Sequence, residues 1–147
     1  MLPFIPYMTL GQPSDECHGC LKGKRIVLIE NDAVTRWQLT KALKRAGLDI
    51  VAATDNGMHG LELVLQHRPD LALIGTERPV LDGLEVSCRI LQQQPLCIVL
   101  LTDQPDSAEK ERARQAGLRG YLVKPLNGQA LMSALEQAYT DFQKAMP

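Results

Sequence analysis

Short runs of consecutive apolar residues recur along this chain, each followed by a stretch in which apolar residues return every three or four positions. The first run, Ile26-Val27-Leu28-Ile29, has no polar break, the pattern of a strand buried on both faces. A helix follows, with Leu39, Leu43 and Ala46 on one stripe, Asn31 or Asp32 as its cap, and Gly47 to end it. The same reading predicts strands over 50–54, 71–74, 97–101 and 121–123, and helices over 58–67, 84–93, 107–116 and 129–144. Pro69 stops the second helix and Gly117 the fourth. Asn127 lies at the cap of the last, and Pro79 with Asp82-Gly83 marks residues 76–83 as a loop.

Five strand-helix units in strict alternation predict a parallel sheet, because each parallel crossover needs a long connection and takes the right hand. The fold class expected is α/β: a flavodoxin-like, doubly wound, five-stranded parallel sheet in the order 2-1-3-4-5 with five helices. In that order the functional crevice lies at the carboxyl ends of the strands. Candidate site residues are therefore Glu30, Asn31 and Asp32 after the first strand, residues 75–78 after the third, Thr102 and Asp103 after the fourth, and Lys124-Pro125 after the fifth.

The chain has 147 residues, the size of one domain, and 45% hydrophobic with 22% charged residues is an ordinary globular composition. With 16 basic and 17 acidic residues the net charge is −1, so the basic footprint of a nucleic-acid binder is missing. No stretch approaches the roughly 20 apolar residues of a membrane span. The opening MLPFIPYMTL is broken by Pro3 and Pro6 and has no positive leader, which predicts a cytoplasmic protein. Residues 1–23 lack periodicity and are expected to be a flexible tail, leaving 24–147 as the domain. Four cysteines are expected as free thiols. Cys17-His18-Gly19-Cys20 has the spacing of a metal or redox motif but no second ligand pair, and its role is left open.

Landmarks then accumulate in register: Arg36, Leu39, Leu43 and Gly47; Gly57, Gly60-Leu61 and Pro69-Asp70-Leu71; Pro79 and Asp82-Gly83-Leu84; Ile98 to Thr102; Ala116-Gly117; and Tyr121-Leu122-Val123-Lys124-Pro125. Together they resemble the receiver domain of bacterial response regulators, the CheY-like family, over residues 24–144. The resemblance implies a two-component signalling module rather than an enzyme, with a histidine kinase or an output protein as partner and no nucleic acid or membrane. It also implies an acidic pair and an aspartate that bind magnesium, with the aspartate accepting a phosphoryl group, and a cis Lys124–Pro125 bond.

This sequence departs from that pattern at its centre. Gly75 stands at the acceptor position and cannot form an acyl phosphate, and the acidic pair is reduced to Glu30-Asn31. The carry-over is Glu30 as a weak magnesium ligand, Asn31 as a neutral stand-in, Thr102 as switch hydroxyl, Lys124 as site cation and Tyr121 as switch aromatic. No cofactor is expected. Lys124 needs a partner, and Glu30 is the natural candidate. The expected function is a degenerate receiver, or pseudo-receiver, working by protein–protein contact. The alternatives are a phosphorelay receiver with Glu77, Asp82 or Asp103 as substitute acceptor, and a small-ligand module using the same crevice. Two apolar surfaces are candidate interfaces: Val34 with Trp37 on the first helix, and Met132, Tyr139 and Met146 on the last. The second surface predicts a homodimer through the helix 4–strand 5–helix 5 face.

Overall fold

In the computed structural model, residues 21–77 and 80–145 are described. The elements run β1 (Arg25–Ile29), α1 (Ala33–Arg45), β2 (Asp49–Thr54), α2 (Gly57–His67), β3 (Leu71–Thr76), α3 (Gly83–Gln93), β4 (Cys97–Thr102), α4 (Ser107–Ala116), β5 (Gly120–Val123) and α5 (Gly128–Ala145). All four strand pairings are parallel, and the sheet order is β2-β1-β3-β4-β5, as the alternation predicts.

Side chains of a strand point alternately to the two faces, so the apolar runs feed two cores. Ile26, Leu28, Leu71, Leu73, Cys97, Val99 and Leu101 meet α1 and α5 on one side. Val27, Ile29, Ala72, Ile74, Ile98 and Leu100 meet the other helices on the opposite side. Every residue of β3 and β4 is buried, which explains why their sequences show no polar alternation. Asp32, Asn56, Asp82 and Asp106 cap α1, α2, α3 and α4 by accepting from backbone N–H groups in the first turn. Asn127 does the same for α5, accepting from the Ala130 N–H at 2.7 Å.

Several expectations need correction. The domain starts before residue 24: Leu21 is buried within the α1–α5 core, and the Gly23 N–H donates to the Gly47 carbonyl at 2.8 Å. The other residues of the predicted tail, with Cys17 and Cys20, lie outside the described residues. β3 runs two residues past the expected 71–74, because Gly75 and Thr76 pair with Leu101 and Thr102 of β4, and Thr76 thus leaves the expected loop. Cys88 and Cys97 both sit in apolar runs that suggest burial; Cys97 is buried, which pushes its thiol up to about 12, whereas Cys88 is only half-buried.

The apolar surplus on α5 is not a free surface beside β5. Tyr139 is 8% exposed and packs in the core shared with α1, with the Lys24 ammonium 5.4 Å from its ring centroid. Met132 is half-buried and lines a cavity of about 460 Å³ with Leu21, Ala42 and Ala46. Met146 lies outside the described residues. The cause is helical phase: with Leu131, Ala134, Leu135 and Ala138 docked on the sheet, Met132 faces α1 and Tyr139 enters the same core.

The first turn of α3 packs directly on β3. A Cβ at Gly83 would lie 2.5 Å from the Gly75 carbonyl oxygen, a backbone atom that cannot swing away. Gly83→Ala is therefore expected to cost about 1–3 kcal/mol by overpacking, despite the better helix propensity of alanine. Gly128→Ala, whose Cβ would meet nothing closer than Ala42 at 3.9 Å, should leave stability unchanged or slightly raised. Urea unfolding of the two variants checks this, and equal midpoints would overturn the close approach.

Candidate functional site

The crevice forms where β1, β3, β4 and β5 end. Glu30, the residue after β1, is held by its backbone: its N–H donates to the Thr54 carbonyl at 2.9 Å, and its carbonyl accepts from Arg36 Nη1 at 2.7 Å. Its side chain turns inward and is 1% exposed. Oε2 accepts from the Asp32 N–H at 3.0 Å and from Lys124 Nζ at 3.1 Å. Oε1 has no hydrogen-bond partner among the described residues and lies against Gly75. A Cβ at residue 75 would collide with Oε1 and stand 3.0 Å from the Glu30 carboxyl carbon. The carboxylate of Glu30 thus fills the space in which a side chain at residue 75 would begin.

Lys124 reaches this point from the end of β5. Its backbone N–H donates to the Thr102 carbonyl at 2.8 Å, and its bond to Pro125 is cis. The Lys124 side chain is 16% exposed, so the contact with Glu30 is a mostly buried ion pair rather than a solvated one. Such a pair contributes little net stability, but removing one member strands the other charge, at a cost of about 3–5 kcal/mol.

The remaining candidates have partners of their own. The Asn31 amide donates to Glu77 Oε1 at 3.0 Å. Asp32 caps α1, and its bonds from the Thr35 N–H and hydroxyl hold its carboxyl below the usual range. Thr102 is buried, and its hydroxyl accepts from the Gln104 N–H at 3.0 Å. The Tyr121 ring is also buried; its hydroxyl accepts from the Asp106 N–H at 3.1 Å and donates to Glu109 Oε1 at 3.0 Å.

Glu77, Asp82 and Asp103 do not converge on the space at Gly75. The Glu77 backbone is tied to Leu81 by reciprocal bonds of 2.7 and 2.8 Å, and its side chain engages Asn31. Asp82 caps α3, accepting from the Glu85 N–H, and Asp103 is exposed. Glu77 and Asp103 instead line a polar cavity of about 150 Å³ with Thr76, Thr102, Gln104 and Glu109. Arg78 and Pro79 lie outside the described residues.

On α1, Val34 is 62% and Trp37 61% exposed, with the Lys41 ammonium 4.4 Å from the Trp37 ring centroid. One side chain of the crevice escaped sequence reading: Glu109, which accepts from the Tyr121 hydroxyl, reads as an ordinary acidic residue in a helix first turn. Thr76, a candidate by position, accepts from the Gly83 N–H and donates to the Leu81 carbonyl, and so ties β3 to the start of α3.

The donor set does not suit a hard divalent cation, which takes several oxygen ligands. The Glu30 carboxylate is engaged by an ammonium and a backbone N–H, Asn31 is turned to Glu77, and residue 75 offers no oxygen from a side chain. Among the described residues no group of three or more His, Cys, Asp or Glu side chains is placed to hold a metal ion.

Residues 26–136 match the family described as response regulator receiver domain. Among curated proteins, the chain is similar to the transcriptional regulatory protein PdtaR of Mycobacterium tuberculosis, 33% identical over 121 residues that cover 82% of this chain and 59% of PdtaR. It is 31% identical over 120 residues to the transcriptional regulatory protein CseB of Streptomyces avermitilis, covering 82% of this chain and 51% of CseB. The chain thus spans little more than half the length of these curated relatives. A solved CheY-like receiver domain from Methanospirillum hungatei superposes with a TM-score of 0.77 at 20% identity, covering 85% of this chain and all of that one. The signal receiver domain of a modulated diguanylate cyclase from Desulfovibrio desulfuricans gives 0.76 at 25% identity, with the same coverage.

Burial, then the bond to Glu109, pushes the Tyr121 phenol up to about 12, partly offset by the bond from Asp106. A phenol whose folded pKa lies above its ordinary value of 10 favours the fold while protonated. That stability is fully present below pH 10 and is lost as pH rises towards 12. An NMR titration of the Tyr121 ring is expected to show its midpoint near 12, and a midpoint near 10 would show that the hydroxyl is not held in this way.

Proposed function

This chain belongs to the response regulator receiver domain family, a family of signalling modules rather than enzymes, and we propose that within it the chain is a pseudo-receiver that signals without taking up a phosphoryl group. The observation that supports this most directly is at Gly75. The position is buried in β3, carries no nucleophile, and faces a space already filled by the Glu30 carboxylate. Receiver chemistry needs a carboxylate there, because in-line transfer demands an oxygen within about 3–3.5 Å of the donor phosphorus. Glu77 is bonded to Asn31, Asp82 caps α3, and Asp103 is exposed on the wall of the polar cavity beside Thr102, so none is a ready substitute.

Signalling then runs through protein–protein contact, with a histidine kinase or an output protein of a two-component system as partner. The surface that suits this role is the exposed face of α1, where Val34 and Trp37 lie side by side. The homodimer expected from α5 loses its basis, since Tyr139 is buried and Met132 faces α1. No helix among the described residues is long and apolar enough to cross a membrane. The setting we assign is the cytoplasm.

Incubation with acetyl phosphate and magnesium, followed by intact-mass measurement, is expected to leave the mass unchanged. A stable gain of one phosphoryl group overturns the proposal, and mapping the adduct would identify the substitute acceptor.

A further inference from the structure

The pairing of Glu30 with Lys124 has a geometry that an incidental salt bridge does not require. β1 and β5 are not neighbours; β3 and β4 lie between them. A side chain at the end of β1 meets Lys124 only by reaching over the end of β3, and there its path crosses the position of the missing Gly75 side chain. Glu30 in this conformation and any larger residue at 75 exclude one another. Moreover, Glu30 Oε1 is buried without a hydrogen-bond donor among the described residues. A carboxylate oxygen accepts that burial only when the other oxygen is well satisfied, here by an ammonium and a backbone N–H.

We infer that the crevice is an anion site occupied by the protein's own Glu30 carboxylate, which stands in for the carboxylate that residue 75 lacks and holds Lys124. This deepens the pseudo-receiver reading and rests on residue 75 taking no phosphoryl group. Glu30 is an internal ligand. An external carboxylate or phosphate reaches Lys124 only when Glu30 vacates the site. The neighbouring residues suit this division of labour. Arg36 fastens the Glu30 carbonyl, while the Asn31 amide is taken up by Glu77 and leaves Lys124 to Glu30. Glycine at 75 is then the residue that leaves room for the ligand.

Glu30→Ala removes the internal ligand and opens a carboxylate-sized hole beside Lys124. The probes are acetate, formate and inorganic phosphate, and the readout is the thermal midpoint of the full chain as a function of probe concentration. Acetate and formate are expected to raise the midpoint of Glu30→Ala, with an apparent affinity at least about tenfold tighter than for wild type. The Glu30→Ala/Lys124→Met double variant should not respond. If phosphate acts as well as the carboxylates, the site reads charge; if only the carboxylates act, it reads the Glu30 shape; either outcome supports the inference. An equal response of wild type and Glu30→Ala overturns it.

A second arm uses Gly75→Ala. The added methyl group should lower the midpoint of wild type and leave that of Glu30→Ala unchanged or raised; equal losses in both backgrounds overturn the steric claim. Should Glu30→Ala not fold, Glu30→Gln keeps the shape and removes the charge. The Lys124 side-chain ammonium signal is expected to be protected from exchange in wild type and lost in Glu30→Gln, and a signal that persists unchanged counts against the pairing. None of these readouts involves phosphoryl transfer, so a failure here is distinguishable from the mass gain that would overturn the pseudo-receiver reading.

Discussion

A carboxylate buried at the end of a parallel sheet needs a cation, and in this protein the cation comes from three strands further across. The Glu30–Lys124 pair therefore constrains everything between its members. β3 must end without a side chain at Gly75, the Glu30 backbone must be anchored to Thr54 and Arg36, and the α1 cap must present the Asp32 N–H to the same carboxylate. The first turn of α3 can then come down on the Gly75 carbonyl, which only glycine at 83 permits. Because removing either charge would strand the other in a buried place, these features stand or fall as a unit.

The second half of the crevice is closed by hydrogen bonds of the same internal kind. Tyr121 is turned into the protein, its hydroxyl shared between the Asp106 N–H at the start of α4 and the buried Glu109 one turn later. The Thr102 hydroxyl is engaged by Gln104. The side chains that would answer a bound phosphoryl group in a receiver are thus already answered by the chain itself. This is consistent with a module whose conformation is built in, and whose information lies on its outer surface.

That surface is uneven. The outward face of α4 carries Lys110, Glu111, Arg112 and Arg114, with Arg114 and Glu111 paired along the helix. Such solvated pairs contribute little stability and offer no apolar anchor. The apolar side chains of α5 are spent on the sheet and on α1. Among the described residues the large exposed apolar side chains are Val34 and Trp37 on α1, Met58 on α2 and Val80 before α3, and a cavity lies between α1 and α5, lined by Leu21, Ala42, Ala46 and Met132.

Much of this was legible in the residue order alone. Apolar runs without polar breaks announced strands buried on both faces, and their alternation with helical stretches led to the parallel order 2-1-3-4-5. The resemblance to receiver domains, aligned from Pro69-Asp70-Leu71, put Gly75 at the acceptor position, and the crevice cation Lys124 pointed to Glu30. Tertiary structure alone decided the rest. Periodicity reports the spacing of a helix's apolar residues but not the phase in which the helix docks, so Met132 and Tyr139 looked free, although Met132 faces α1 and Tyr139 is in the core. Leu21 looked like tail because a single apolar residue before a turn carries no period. The Glu30 conformation depends on three strand ends that are distant in sequence and meet only in the folded sheet, and so do the space at Gly75 and the bond between Tyr121 and Glu109.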